Sequence, residues 1–276
     1  MKGGRQARVA LHPSPFTVFK IMGIHTAEAI VLRQYPYRET SALVTCLTDR
    51  VGKIKGLIKG LRASAGRYRS AMDPLSLNRI VFYDSRSSSL HLITQCELVS
   101  AFHEVTRDLE WMRLATFCAE LVDAVLELEE PQPQIFVLLS GMLSRLTTES
   151  AMHRQGLRIH FVLRLLRLAG FQPQLDECVG CGRRPVARGF WSARQGGLLC
   201  ERCLHEDPTA EAVSAEWVEA LSSSAESDTP LLLDNGQGTL MQQRLDEFLR
   251  WRLDRPLKTM RDPVETEKAS RPRLSP

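Results

Sequence analysis

The sequence predicts an α+β protein in which a small β-barrel precedes a helical region, with a four-cysteine cluster set within the helical part. Three observations predict it. Residues 25–97 hold five short strand-like runs bounded by turn residues. After Phe102 the apolar period changes from two to about 3.6. Further on, Cys178-x2-Cys181 and Cys200-x2-Cys203 frame a gap of 18 residues, a spacing that suits a metal site. The 276 residues are 43% hydrophobic and 25% charged, which excludes fibrous, collagen-like and wholly disordered classes. At roughly 150 residues per domain, about two domains are expected. The longest uncharged apolar-rich run near the middle, Ile135 to Ser144, is well short of the roughly 20 residues a membrane-spanning helix needs.

Residues 1–21 hold Lys2, Arg5, Arg8 and Lys20 and no acid. His12, Pro13, Ser14 and Pro15 interrupt any secretory-type apolar run. The segment reads as a disordered leader or an over-long start, with Met22 directly before the first strand-like run. The expected strands are Thr26–Leu32, Ala42–Asp49, Gly52–Ile58, Leu75–Phe82 and Leu90–Glu97. Five short strands fit a small barrel, OB-like in one option and SH3-like in the other.

Leu114, Phe117, Cys118, Leu121, Val122, Val125 and Leu128 mark an amphipathic helix with a wide apolar face. Pro131 and Pro133 are expected to stop it. Ile135, Leu138, Leu139, Met142, Leu143 and Leu146 mark a second helix. A third, Gln155 to Ala169, is apolar on most sides and so should be the buried one, with Gly170 as its cap. Its polar stripe, His160, Arg164 and Arg167, suits contact with another helix or an acid. Glu211–Ser222 reads as a helix, Ser222–Asn235 as a loop and Thr239–Leu253 as a final helix. The polar tail from Asp262 should fray.

The formal charge of +4 equals the four bases of the leader, so residues 22–276 are neutral overall. They are not evenly charged. Arg50, Lys53, Lys55, Lys59, Arg62, Arg67 and Arg69 stand in 50–69 without one acid. Residues 104–130 hold eight acids against Arg107 and Arg113, read as a solvated acidic helix face. Such poles bear on partners and encounter rates rather than on fold. Lys53 and Lys55 are two apart and share a strand face, and Lys59 continues that parity. With Arg62, Arg67 and Arg69 they form a candidate track for a phosphate backbone, and Tyr68 is a candidate stacking ring. The alternative is a solvated surface loop.

Two-residue gaps let Cys178, Cys181, Cys200 and Cys203 reach one ion, and Gly180 and Gly182 permit the tight turn. Four thiolates fill a tetrahedron, so the expected role is structural zinc, one per chain, with no open position for substrate. Redox dithiols or disulfides are the competing readings. His205 is not needed as a ligand. Phe190, Trp191 and Leu199 are expected to fill the module's small core. Cys46, Cys96 and Cys118 read as buried thiols, which favours a reducing compartment, hence the cytoplasm. There is no G-x-x-x-x-G-K-[ST] loop, no H-E-x-x-H and no G-x-S-x-G elbow, so no motif points to an enzyme.

The run Leu163-Arg164-Leu165-Leu166-Arg167-Leu168-Ala169-Gly170-Phe171-Gln172-Pro173, followed by Leu175-Asp176 and Cys178-Val179-Gly180-Cys181-Gly182, resembles the RecO family of bacterial recombination mediators. So do Ala29-Ile30-Val31-Leu32 with Tyr37-Arg38-Glu39-Thr40-Ser41, Arg69 to Leu75, and Arg250 to Met260. The resemblance covers about 22–265. It implies an N-terminal five-stranded OB-fold barrel followed by an α-helical domain carrying an inserted four-cysteine zinc module. The corresponding spans are 22–101 for the barrel, 102–175 and 205–262 for the helical domain, 176–204 for the zinc module and 263–276 for a flexible tail.

The resemblance also implies ATP-independent binding and annealing of single-stranded DNA, with duplex DNA as a further ligand, in the nucleoid. Implied partners are RecR and the acidic tail of single-stranded DNA-binding protein (SSB), leading to RecA loading. The zinc ligands carry over onto the four cysteines by residue; the DNA contacts carry over only as the basic region. The rival readings are a protein-interaction adaptor with a zinc docking hairpin and, more distantly, a nucleic-acid enzyme with a zinc ribbon.

Overall fold

The structure is a computed structural model that describes residues 23–61, 71–84, 89–150, 153–184, 189–227, 229–230 and 235–260. Strands β1 (Ile24–Tyr37), β2 (Ser41–Thr48), β3 (Gly52–Ile58), β4 (Leu77–Tyr83) and β5 (Leu90–Ser100) close a barrel in the order β1-β2-β3-β5-β4. All neighbours are antiparallel except β3 and β5, which run parallel. This closed five-stranded arrangement is OB-like rather than SH3-like.

β1 is twice the expected length because its two halves serve different neighbours. Ile24 to Ile30 pairs with β4, and Ala29 to Tyr37 pairs with β2. Alternation fills the barrel with Ala27, Ala29, Val31, Val44, Cys46, Ile54, Ile58, Ile80, Phe82 and Ile93. At Gly56 a Cβ would sit 2.4 Å from Ile93 Cδ1, so a larger residue there would have to displace that core side chain. On the outer face Ile30, Leu32 and Leu47 join the core of the helical domain. A bulge between Val31 and Arg33 lets Leu32 and Arg33 both meet that domain, as bulges re-aim side chains.

The helical domain comprises α1 (His103–Arg107), α2 (Leu109–Val125), α3 (Pro133–Arg145), α4 (Arg154–Leu168), α5 (Ala215–Glu226) and α6 (Asn235–Arg252). Asp108 caps α2, its Oδ1 accepting from the N–H groups of Glu110 (2.8 Å) and Trp111 (2.9 Å). α4 is the buried centre, with Leu157, Ile159, Phe161, Val162, Leu163, Leu165 and Leu166 almost fully enclosed. Gly170 closes it at φ +77°. Among the described residues no helix is long and apolar enough to cross a membrane.

Beyond β1, several boundaries differ from the sequence reading. α2 ends at Val125, not at the prolines. Leu126 turns extended, and the next residues lie along the barrel, where Leu128 bridges Lys53 and the Glu129 N–H reaches Lys53 O at 2.8 Å. Pro133 starts α3 instead of stopping α2, a position where its missing N–H costs nothing. Glu211–Val213 is a strand, β8, because β6 (Gly189–Ser192) offers it a free edge. The helix behind it starts after Ser214, whose Oγ accepts from Trp217 N at 3.2 Å, and runs to Glu226 through part of the expected loop.

Candidate functional site

The four-cysteine module is built on β6 and β7 (Gly197–Leu199), joined by β8 in a three-stranded antiparallel sheet ordered β7-β6-β8. The first cysteine pair lies on a turn closed by Gly182 N–H to Cys178 O at 2.8 Å, with Gly182 at φ +70°, a conformation glycine adopts freely. Cys200 follows β7, and Cys203 lies in the 3-10 turn Glu201–Glu206. The Cys203 N–H donates to Cys200 O at 2.9 Å.

The four Sγ atoms lie within 4.8 Å of one another, with Cys181 and Cys200 at 3.7 Å. A tetrahedral ion with bonds of about 2.3 Å would need sulfurs about 3.8 Å apart. One compact cluster suits one ion better than two separate dithiols, and all four thiols are free. Burial opposes ionisation of Cys178, yet N–H groups of Cys200, Cys181 and Gly180 prevail and lower its pKa to about 6. Burial and the surrounding sulfurs push Cys203 the other way. Four thiolates this close require a cation among them, so the donor set fits a metal. His205 takes no part; its Nδ1 faces Arg202 O at 2.8 Å.

The hairpin has two faces. Phe190 pairs with Leu199, and both pack beside the cysteines. Trp191 pairs with Leu198 and turns into the helical core. There its ring lies 5.2 Å from Trp217 and 5.8 Å from Phe248. Trp191 is therefore an anchor to the helical domain rather than filling for the module, as the strand alternation at 190 and 191 dictates.

The basic track divides. Lys53 and Lys55 share the outer face of β3, as the parity predicts, but the helical domain covers the Lys53 end. Lys53 is only 8% exposed. Its Nζ donates to Asp123 O at 2.7 Å and lies 3.3 Å from Asp123 Oδ1. This corrects its assignment as a DNA contact, because its ammonium is committed inside the protein. Lys55 and Lys59 are exposed. Arg62, Arg67, Arg69 and Tyr68 lie outside the described residues.

The reading of the acidic helix as wholly solvated fails at Glu120 and Asp123, which are buried. Asp123 receives Arg33 Nε at 2.8 Å and Arg255 at 2.7 Å besides Lys53. Glu120 accepts from the N–H groups of Lys258 and Thr259, both at 2.9 Å. Burial raises the pKa of each carboxyl. For Asp123, the Arg255 hydrogen bond and the charges of Lys53 and Arg33 outweigh it and hold the group below its ordinary range. For Glu120, the backbone donors of Thr259 and Lys258 do so. Burial lowers Lys53 despite the opposing charge of Asp123. This knot joins the barrel, α2 and residues 255–259, and sequence reasoning missed it. The only available signal was the three-residue spacing of Glu120 and Asp123 on a helix with little polar surface.

Between α3 and α4 lies a groove of about 510 Å³ with Val137, Leu138, Met142 and Phe161 in its lining and Arg145 and Arg164 beside them. Arg164 donates to Glu226 O at 3.1 Å and Arg167 to Glu226 Oε1 at 2.8 Å, the helix–acid contact expected of that stripe.

Comparison with known proteins agrees with this architecture. Residues 22–102 match the family model "Recombination protein O N terminal", and 106–261 match "Recombination protein O C terminal". The DNA repair protein RecO of Desulforudis audaxviator is 32% identical over 203 residues, covering 73% of this chain and 79% of the relative. That of Symbiobacterium thermophilum is 30% identical over 210 residues, covering 75% and 82%. That of Myxococcus xanthus is 33% identical over 176 residues, covering 64% and 71%. A closed five-stranded barrel, a helical domain and a four-cysteine cluster thus coincide with family models spanning nearly all of 22–261, and the chain belongs to the RecO family.

Proposed function

We propose that this chain, whose family places it in DNA repair and recombination, is a mediator without chemistry of its own. It binds single-stranded DNA, anneals complementary strands without ATP and, with RecR, helps load RecA on strands coated by SSB. The observation that carries this reading is the exposed basic end of the barrel. Lys55 and Lys59 lead into Arg62, Arg67 and Arg69 with no acid in 50–69. Bases there neutralise phosphates and release counterions, so affinity falls steeply with salt. Holding two strands while cancelling their repulsion favours pairing, and duplex DNA is a weaker ligand of the same surface. The groove between α3 and α4, flanked by Arg145 and Arg164, supports a site for the acidic tail of SSB, since cationic neighbours complement an acidic peptide.

In this reading Cys178, Cys181, Cys200 and Cys203 hold one structural zinc, which supplies fold stability rather than reactivity. The working parts are the barrel (22–101), the helical domain (102–175 and 205–262) and the zinc module between them (176–204). Their place of action is the cytoplasmic nucleoid.

The test is annealing of complementary strands, naked and coated with SSB, without nucleotide. Annealing on both is expected. Annealing on naked strands alone would remove the SSB contact from the proposal. Failure on both, with salt-insensitive DNA binding, would leave the chain as a protein-interaction adaptor with a zinc docking hairpin.

A further inference from the structure

The outer face of the barrel emerges from beneath the helical domain in successive rows. At Ile30 and Leu47 it is fully covered. The next row sets Arg33 beside Thr45 and Lys55. Beyond it Tyr35 lies beside Leu43 and Leu57, then Tyr37 beside Ser41. Tyr35 is 49% exposed and Tyr37 37%. Large rings left in the open at alternate positions of one strand need a reason, since residues two apart share a face. Arg38 Cζ lies 5.3 Å from the Tyr37 ring centroid. Glu39 is the one acid in the adjoining turn, against Arg38, Lys55 and Lys59.

We infer that this open face is a base-stacking platform for single-stranded nucleic acid, with Tyr35 and Tyr37 receiving bases while Arg38, Lys55 and Lys59 take the phosphates. The inference rests on the DNA-binding reading above and adds to it the residues that tell a single strand from a duplex. Charge complementarity commits the face to a polyanion, because exposed Arg38, Lys55 and Lys59 border the rings, while Arg33 in the adjoining row is already held by Asp123. Exposed rings commit it to unpaired bases, which alone offer a free face to stack. Residues two apart on a strand stand about 6.8 Å apart, so the two rings can receive separate bases. A duplex keeps its base faces stacked inside, so only its phosphates can engage here, whereas a single strand offers both. Stacking on a ring tolerates any base, which suits a protein that must act on any sequence.

The experiment compares the full-length wild-type chain with Tyr35→Ala/Tyr37→Ala and Tyr35→Phe/Tyr37→Phe. Each is titrated with oligo-dT, with an abasic oligomer of equal length and with duplex, over a range of salt. The alanine variant should lose about tenfold or more in affinity for oligo-dT, with its salt slope, abasic binding and duplex binding unchanged. The phenylalanine variant should bind as wild type, because the ring and not the hydroxyl stacks. Wild-type binding that is equal for oligo-dT and abasic strands would overturn the platform. So would an alanine variant that keeps its oligo-dT affinity, and in that case a protein occupant of the face becomes the better reading. Absence of any salt-dependent DNA binding by the wild type would instead defeat the underlying reading. Both tyrosines are exposed, and circular dichroism verifies that each variant is folded.

Discussion

Replacing Asp123 by Asn removes one negative charge from the junction of barrel and helical domain while keeping the side chain's size. The carboxylate lies within 3.3 Å of Arg33, Lys53 and Arg255. Lys53 is 8% exposed and Arg33's side chain 21%, so neither recovers full hydration when the carboxylate goes. Breaking a buried pair by removing one partner costs about 3–5 kcal/mol. At roughly 2–4 °C per kcal/mol for a protein of this size, the melting temperature should fall by about 6–20 °C. Urea titration followed by tryptophan fluorescence reads the same loss as a lower midpoint at equal slope.

The pH dependence has a definite sign. The folded carboxyl lies below its ordinary range, so its contribution is fully present above the unfolded value near 3.9 and is lost as pH falls through the folded value. The two proteins should differ by a constant amount above about pH 5 and converge below about pH 4. Adding Lys53→Met to the Asn variant should restore about 1–3 kcal/mol, because it removes an ammonium left without its counter-charge. A loss below about 1 kcal/mol, the size of an exposed ion pair, would refute the reasoning.

Two further predictions concern the candidate sites. Lys53→Met should leave affinity for single strands unchanged, whereas Lys55→Glu with Lys59→Glu should weaken it and flatten its salt dependence by about two phosphate contacts; equal effects from both would contradict the division of the basic track. Metal analysis should find about one zinc per chain, and a chelator should alter tryptophan fluorescence through Trp191 as the hairpin loosens; a metal-free protein with unchanged emission would contradict a structural zinc.

The sequence carried the fold where signals are local. Strand alternation located all five barrel strands, and the apolar stripe 157–166 marked the buried helix. The doubled CxxC located the cysteine cluster. Readings failed where a distant partner decided the outcome. Glu211–Val213 has helical neighbours, and only the free edge of β6 makes it a strand. Lys53 and Lys55 are indistinguishable by residue type and parity, and only the docked helix α2 separates a buried ion pair from an exposed cation. Asp123 looked like one acid among eight, since nothing near it in sequence announces Arg33 or Arg255. Tyr35 and Tyr37 lie past the expected end of the first strand, because the second half of β1 is specified by its pairing with β2.

The knot at Glu120 and Asp123 also imposes an order on how the chain matures as it is made. Arg33 and Lys53 leave the ribosome before α2 and can meet Asp123 at once. Arg255 comes 132 residues after Asp123, and Lys258 follows Glu120 by 138. At about 5–20 residues per second, that interval is on the order of ten seconds. During it Glu120 lacks its backbone donors and Asp123 lacks Arg255. A nascent chain stalled or truncated before residue 255 would therefore carry the barrel and α2 without the contacts of Arg255, Lys258 and Thr259 that complete their junction.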